Sequence, residues 1–164
     1  PYQKGMGRLT KEDRDVVSWA LEATGMFEFR QREIACLSGG QRQRVWVAMA
    51  LAQQTNIVLL DEPTTYLDLS HQLEVLEILK HLNREQGTTI VMVLHDLNLA
   101  SRYSDYLLAM KDGQIARYGT PEEVMTRDVL AECFFIDGDV VTDRRSGKPV
   151  CLSYDLLAAK EGRV

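Results

Sequence analysis

Three features of the sequence predict an α/β fold. Ile57-Val58-Leu59-Leu60 is a short unbroken apolar run, and residues 88–94 form a second strand pattern, apolar without a break from Ile90 on. Residues 70–85 between them carry leucines at helical spacing. Strand, crossover helix and strand in that order make a βαβ unit, whose two strands lie parallel. Unbroken apolarity in both runs predicts a sheet covered on both faces. The third feature is the polar residue or pair that ends each run: Asp61-Glu62 after the first and His95 after the second.

Residues 1–10 read as a loop. Thr10-Lys11-Glu12-Asp13 starts a helix as a capping box, with Val16, Val17, Ala20 and Leu21 as its apolar face and Gly25 at its end. Residues 26–36 read as a mixed connection, a short helix plus loop. Ser38 opens the next helix, predicted to about Gln53; its body, residues 45–52, is apolar nearly all round and predicts a core helix. Asn56 precedes the first strand. Leu73, Leu76, Leu79 or Lys80, and Leu82 form the buried stripe of the crossover helix, and Gly87 stops it. Asp96 caps a short helix to about Tyr103. Residues 105–110 and 114–118 flank Lys111-Asp112-Gly113 and read as a hairpin. Thr120-Pro121-Glu122-Glu123 joins Pro at the first helical position to a capping box. A helix near residues 128–133 and β-like pieces at 134–142 and 149–152 complete the chain, and residues 158–164 are expected to fray.

At 164 residues the chain is long enough for one domain with a sizeable core. A net charge of −5 argues against a nucleic-acid grip, which shows as a basic face, so no nucleic-acid partner is expected. Cys36, Cys133 and Cys151 lack CxxC or Cys/His ligand spacing and are expected to be reduced thiols. The longest apolar run, residues 45–52, is too short to span a bilayer.

The candidate chemistry sits at four places. In Leu37-Ser38-Gly39-Gly40-Gln41, Ser38 and Gln41 have capping-box spacing, which accounts for the helix start. Capping does not account for the glycines, each costing up to about 1 kcal/mol against alanine in a helix interior and less at an end. Bare glycines there let a phosphate sit directly on the N-terminal amides. Asp61 and Glu62 fall outside the carboxyl end of a strand, where ligands of open α/β sheets gather; a loop pair in which Asp61 caps backbone is the alternative. Asp61 suits Mg²⁺ held through water, and Glu62 is then placed to orient or deprotonate an attacking water. His95 ends the neighbouring strand at the same edge, within reach of a γ-phosphate or that water; a lone His at a strand end is otherwise structural. Asp68 reads locally as a helix-start residue before Ser70, with a contact across a dimer as the alternative.

These motifs, in this order, resemble the ATPase domains of ABC transporters. Leu37-Ser38-Gly39-Gly40-Gln41, continued by Arg42 and Arg44, resembles their signature motif, and Ile57-Val58-Leu59-Leu60-Asp61 their Walker B strand. Glu62 stands at the catalytic carboxylate position, Leu67-Asp68 resembles the D-loop, and His95 resembles the switch histidine. The likeness spans about residues 10–155. Pro63-Thr64-Thr65-Tyr66-Leu67-Asp68 with His71-Gln72-Leu73-Glu74-Val75-Leu76, and Val93-Leu94-His95-Asp96-Leu97-Asn98 with Ala100-Ser101-Arg102-Tyr103, resemble the ATPase subunits of bacterial iron–siderophore importers. Haem and cobalamin importers share much of this pattern, and Gly119-Thr120-Pro121-Glu122-Glu123-Val124 is seen broadly in importer ATPases.

The resemblance implies a P-loop NTPase fold with a mainly parallel sheet, binding ATP and Mg²⁺. Two nucleotide-binding domains would face each other head to tail as a homodimer. Ser38, Gly39, Gly40 and Gln41, with Asp68, would then serve the ATP of the partner subunit. Asp61 (through Mg²⁺), Glu62 and His95 would serve the nucleotide of their own domain. The implied partners are transmembrane permease subunits and, indirectly, a periplasmic or surface siderophore-binding protein. The implied place is peripheral, on the cytoplasmic side of the cell membrane.

The sequence lacks three parts of the family's pattern. It holds no GxxxxGK(S/T) stretch, and its Gly147-Lys148 pair, followed by Pro149, reads as a turn. The family's adenine-stacking aromatic and glutamine loop, N-terminal to the signature, have no counterpart either. The expectation is an N-terminally truncated domain. Residues 1–52 would be a helical-subdomain remnant with the signature helix, 53–118 the second half of the ATPase core, and 119–164 C-terminal helices and short strands. Such a fragment is expected to bind ATP weakly and not to turn over alone. A non-enzymatic half-domain that binds a partner is the alternative.

Overall fold

Each capping box in the sequence starts a helix in the computed structural model, which describes residues 10–65 and 67–157. The chain forms two compact units, one ending at Val93 and one beginning at Leu94. In the first, Thr10 and Asp13 close the start of α1 (Lys11–Ala23) with bonds of 3.1 and 2.8 Å. Two 3-10 turns, Phe27–Phe29 and Ile34–Cys36, lead to α2 (Gly39–Leu51). Then come β1 (Ile57–Leu60), α3 (Leu69–Gln86) and β2 (Thr89–Met92). β1 and β2 pair in parallel, from Ile57 opposite Thr89 to Leu60 opposite Met92, so the expected βαβ unit is present. α3 ends at Gly87 with φ 66°, the left-handed conformation that glycine adopts without strain.

The core of this unit joins Ala20 of α1, Val47, Ala48 and Leu51 of α2, and Val75, Leu79 and Leu82 of α3. Leu60, Ile90 and Met92 of the sheet pack against it. A fully buried leucine such as Leu79 contributes about 1.5–3 kcal/mol relative to exposure.

Three expectations are corrected here. α2 is not buried all round, because Trp46 and Met49 are 55% and 51% exposed. β1 and β2 are covered on one face only: Val58 is buried, while Ile57, Leu59, Val91 and Val93 are exposed, Leu59 by 74%. The helices supply one layer, and strand side chains alternate, so every second residue points away from it. The parallel sheet is confined to β1–β2, since the other strand pairs among the described residues are antiparallel.

The second unit opens with α4 (Leu97–Tyr103), capped by Asp96, which accepts the Leu99 N–H at 2.8 Å. β3 (Leu107–Lys111) and β4 (Gln114–Gly119) form the expected hairpin. Asp112 and Gly113 turn it with φ 51° and 75°, the positive pair that the strand twist favours. α5 (Pro121–Val124), α6 (Arg127–Val129) and a π-helical turn, Leu130–Phe134, lead to the antiparallel pair β5 (Ile136–Thr142) and β6 (Pro149–Leu156). Gly147 and Lys148 lie in a turn, as expected, with the Gly147 N–H donating to the Asp143 carbonyl at 2.8 Å. Asn98 ties α4 to β6 by accepting the Cys151 N–H at 2.8 Å and donating to its carbonyl at 3.0 Å. The three cysteines are free thiols. The expected fraying of residues 158–164 lies outside the described residues.

Two carboxylates of this unit predict its acid response. Arg127 grips Asp137 through bonds of 2.6 and 2.8 Å, and the Ser146 hydroxyl, then the Arg145 amide, hold Asp143. Both carboxyls are held below the ordinary aspartate value of 3.8. Folding therefore favours the charged form, so the stabilisation is complete above about pH 4 and is lost as pH falls further. A melting series should show Tm falling below about pH 4, less steeply in Asp137→Asn; equal slopes would remove this pair from the account.

Candidate functional site

At the start of α2 the backbone itself is the accessible chemistry. The Ser38 Oγ accepts the Gln41 N–H at 3.2 Å, and Gln41 Oε1 accepts the Ser38 N–H at 3.0 Å. Arg42 donates to the Leu37 carbonyl at 3.2 Å, and Arg44 pairs with Glu74 at 3.2 Å, so the residues flanking the glycines are fixed. The two glycines differ. A Cβ on Gly40 would lie 2.9 Å from Cδ2 of His71, so packing accounts for that one. A Cβ on Gly39 would meet nothing within 4 Å. Internal packing thus gives no reason for Gly39, and its bareness leaves first-turn amides open where a helix N-terminus attracts anions.

Asp68 caps α3. Its Oδ1 accepts the His71 N–H at 3.0 Å and the Ser70 hydroxyl at 2.9 Å, and lies 2.7 Å from His71 Nδ1. The His71 amide, then the Ser70 hydroxyl and the His71 ring, hold this carboxyl below its ordinary 3.8. The helix-start reading of Asp68 is what the structure displays.

Asp61 is exposed directly after β1. Glu62 comes next with φ 47°, a left-handed backbone in a residue other than glycine, which costs about 1–3 kcal/mol. The Thr65 hydroxyl donates to Glu62 Oε2 at 2.8 Å, and the Thr65 N–H donates to the Glu62 carbonyl at 3.2 Å. With Pro63 and Thr64 buried beneath, this turn sets the direction of the Glu62 carboxylate. A shallow hollow of about 290 Å³, lined by Leu59, Leu60, Asp61, Val91, Met92 and Val93, lies alongside. A hollow of about 310 Å³ at the opposite strand ends, beside Asn56 and Thr88, is remote from these carboxylates. Among the described residues no cluster of three His, Cys, Asp or Glu side chains forms a metal cage. Asp61 fits Mg²⁺ all the same, because that ion takes one or two carboxylates and fills its shell with water and phosphate oxygens.

His95 is exposed in the stretch after β2 and belongs to the second unit. The contacts at the α2 start run to His71 and through it to Asp68, while Asp61 and Glu62 are held by β1 and the turn after it. Sequence reasoning named Glu62 but missed its strained backbone, and it missed the contacts of His71 and Thr65. His71 and Thr65 each stand three residues after a carboxylate, Asp68 and Glu62, and that spacing was the available signal. The handedness at Glu62 left no mark in the sequence.

A family profile described as "ABC transporter" matches residues 3–65. The chain is 61% identical over 157 residues to the iron(3+)-hydroxamate import ATP-binding protein FhuC of Bacillus subtilis (strain 168), covering 96% of this chain and 58% of that protein. It is 45% identical over 150 residues to the ferric enterobactin transport ATP-binding protein FepC of Escherichia coli (strain K12), covering 92% and 55%. The chain therefore spans a little over half the length of the curated relatives it matches. Among solved structures, a metal-chelate type ABC transporter in an inward-facing conformation matches with TM-score 0.80 at 28% identity, over 92% of this chain and 61% of that one. The dimeric post-hydrolysis ATP-binding cassette MJ0796, bound to ADP and Pi, matches with TM-score 0.60 at 36% identity, over 71% and 51%.

Proposed function

The chain belongs to the ABC transporter family of ATP-binding domains, with the α/β P-loop NTPase fold, and from that premise we propose that in its full-length form the protein serves as the ATP-hydrolysing subunit of an importer for iron(III)–siderophore complexes. One observation carries the hydrolytic part of this reading. Glu62, next to the strand-end Asp61, is held in a left-handed backbone with Thr65 on its carboxylate, and strain of that sort gathers at active sites. The cargo is inferred from the names of the relatives.

In this reading Ser38, Gly39, Gly40 and Gln41 present the α2 amides to the terminal phosphate of a nucleotide bound mainly by a second copy, with Asp68 beside them. Asp61 would hold Mg²⁺ by way of water, and the ion, when bound, would neutralise charge on the phosphate oxygens. Glu62 orients the attacking water and accepts its proton. His95 hydrogen-bonds on the γ-phosphate side of its own domain's nucleotide. In its full-length form the protein works as a homodimer, each copy holding its own nucleotide mainly by a phosphate loop that these 164 residues do not contain, and meets the membrane through permease subunits on the cytoplasmic side, with a siderophore-binding protein upstream.

The test uses the protein as encoded, co-purified with its permease and reconstituted in vesicles. ATP-dependent uptake of an iron(III)–hydroxamate is expected. Uptake of haem or cobalamin in its place would reassign the cargo, and absence of any ATPase activity would overturn the reading.

A further inference from the structure

We propose that His71 is a positioning residue that locks the glycine start of α2 to the Asp68 cap of α3, so that the two segments move as one body. A single side chain touches both. Its Cδ2, Cγ and Nε2 lie 2.9, 3.1 and 3.4 Å from where a Cβ on Gly40 would stand, so the ring is seated against the bare Cα of that glycine. Its Nδ1 lies 2.7 Å from Asp68 Oδ1, and its own N–H donates to the same oxygen at 3.0 Å. The imidazole is planar and rigid, so turning it away from Gly40 also turns it off Asp68. Neither contact is relieved alone.

Two neighbouring ties keep the lock in register. Gln72 donates to the Leu67 carbonyl at 3.0 Å, pinning the residue before the cap. Arg44 reaches from α2 to Glu74 of α3 at 3.2 Å, one turn beyond His71. A shift of the Asp68 segment is thereby passed to the Gly39 and Gly40 amides, and the reverse. The functional consequence rests on the reading above, in which both segments face a partner's nucleotide; the lock itself rests on the contacts alone.

The lock is tested on the chain without nucleotide, by amide hydrogen exchange and melting. His71→Ala is expected to speed exchange of the Gln41 and Arg42 amides about tenfold, together with the residue-71 amide. His71→Asn, which keeps a donor near Asp68 but has no ring against Gly40, should restore protection at residue 71 and not at Gln41. Wild-type exchange at Gln41 and Arg42 in His71→Ala would overturn the proposal. In melting, Gly40→Ala should lower Tm in the wild-type background and leave it unchanged or raised in His71→Ala, where the ring no longer blocks the methyl group. Equal losses in both backgrounds would overturn it too. In the assembled transporter, His71→Ala should raise KM for ATP about tenfold with a smaller effect on kcat. If the wild-type assembly hydrolyses no ATP, the functional reading fails, while the exchange and melting results still decide the lock.

Discussion

Glu62→Gln is expected to lower ATP turnover in the assembled transporter by about a hundred- to ten-thousand-fold, the range for loss of a general base. ATP binding should remain. Glutamine has the size of glutamate, keeps an oxygen for the Thr65 hydroxyl that lies 2.8 Å from Oε2, and meets the same backbone demand at φ 47°. The turn and the direction of the side chain are therefore retained, and only the basic carboxylate is removed. Phosphate release should fall while an ATP-bound dimer accumulates, which size-exclusion chromatography with and without ATP would reveal. Wild-type turnover in this variant would take the catalytic role from Glu62.

Gly39→Asp should separate stability from function. The new Cβ meets nothing within 4 Å, so the chain needs no rearrangement to hold it. A carboxylate in the first turn also complements the helix dipole, a gain of about 0.3–1 kcal/mol. Tm should therefore hold or rise slightly. A nucleotide phosphate approaching the α2 amides would meet that carboxylate instead. At about 4 Å, two unit charges repel by roughly 1 kcal/mol in water and about 4 kcal/mol near a protein surface, enough to weaken the contact by about five- to a thousand-fold. ATPase activity of the assembled transporter should fall accordingly, and normal activity would contradict the assignment of Gly39 to an anion site. Gly40→Ala is the contrasting case, because its methyl group would strike the His71 ring within the same chain.

Much of the local geometry around the candidate residues was readable before the fold. The Ser38–Gln41 box, the Asp96 cap and the end of α3 at Gly87 are local devices, each made by residues within four positions of one another. Local hydrogen bonding sets such features, so sequence spacing reveals them. The β1–α3–β2 order was legible for a similar reason: two apolar runs either side of a leucine stripe leave little other way to bury them.

Other features depended on partners distant in sequence. Unbroken apolarity at Ile57-Val58-Leu59-Leu60 pointed to two covered faces, and Leu59 is 74% exposed because one helical layer covers only alternate residues. Trp46 is half-exposed because α2 buries only the face that carries Val47, Ala48 and Leu51. The ring of His71, from another helix, lies against Gly40, a contact that no local spacing announces. The left-handed backbone of Glu62 accompanies the burial of Pro63 and Thr64, which depends on packing and which no periodicity encodes. Caps, turns and strand ends were legible because their forces act between near neighbours along the chain. Burial, close approach and backbone strain were decided by packing between helices and sheet, which bring together residues far apart in sequence.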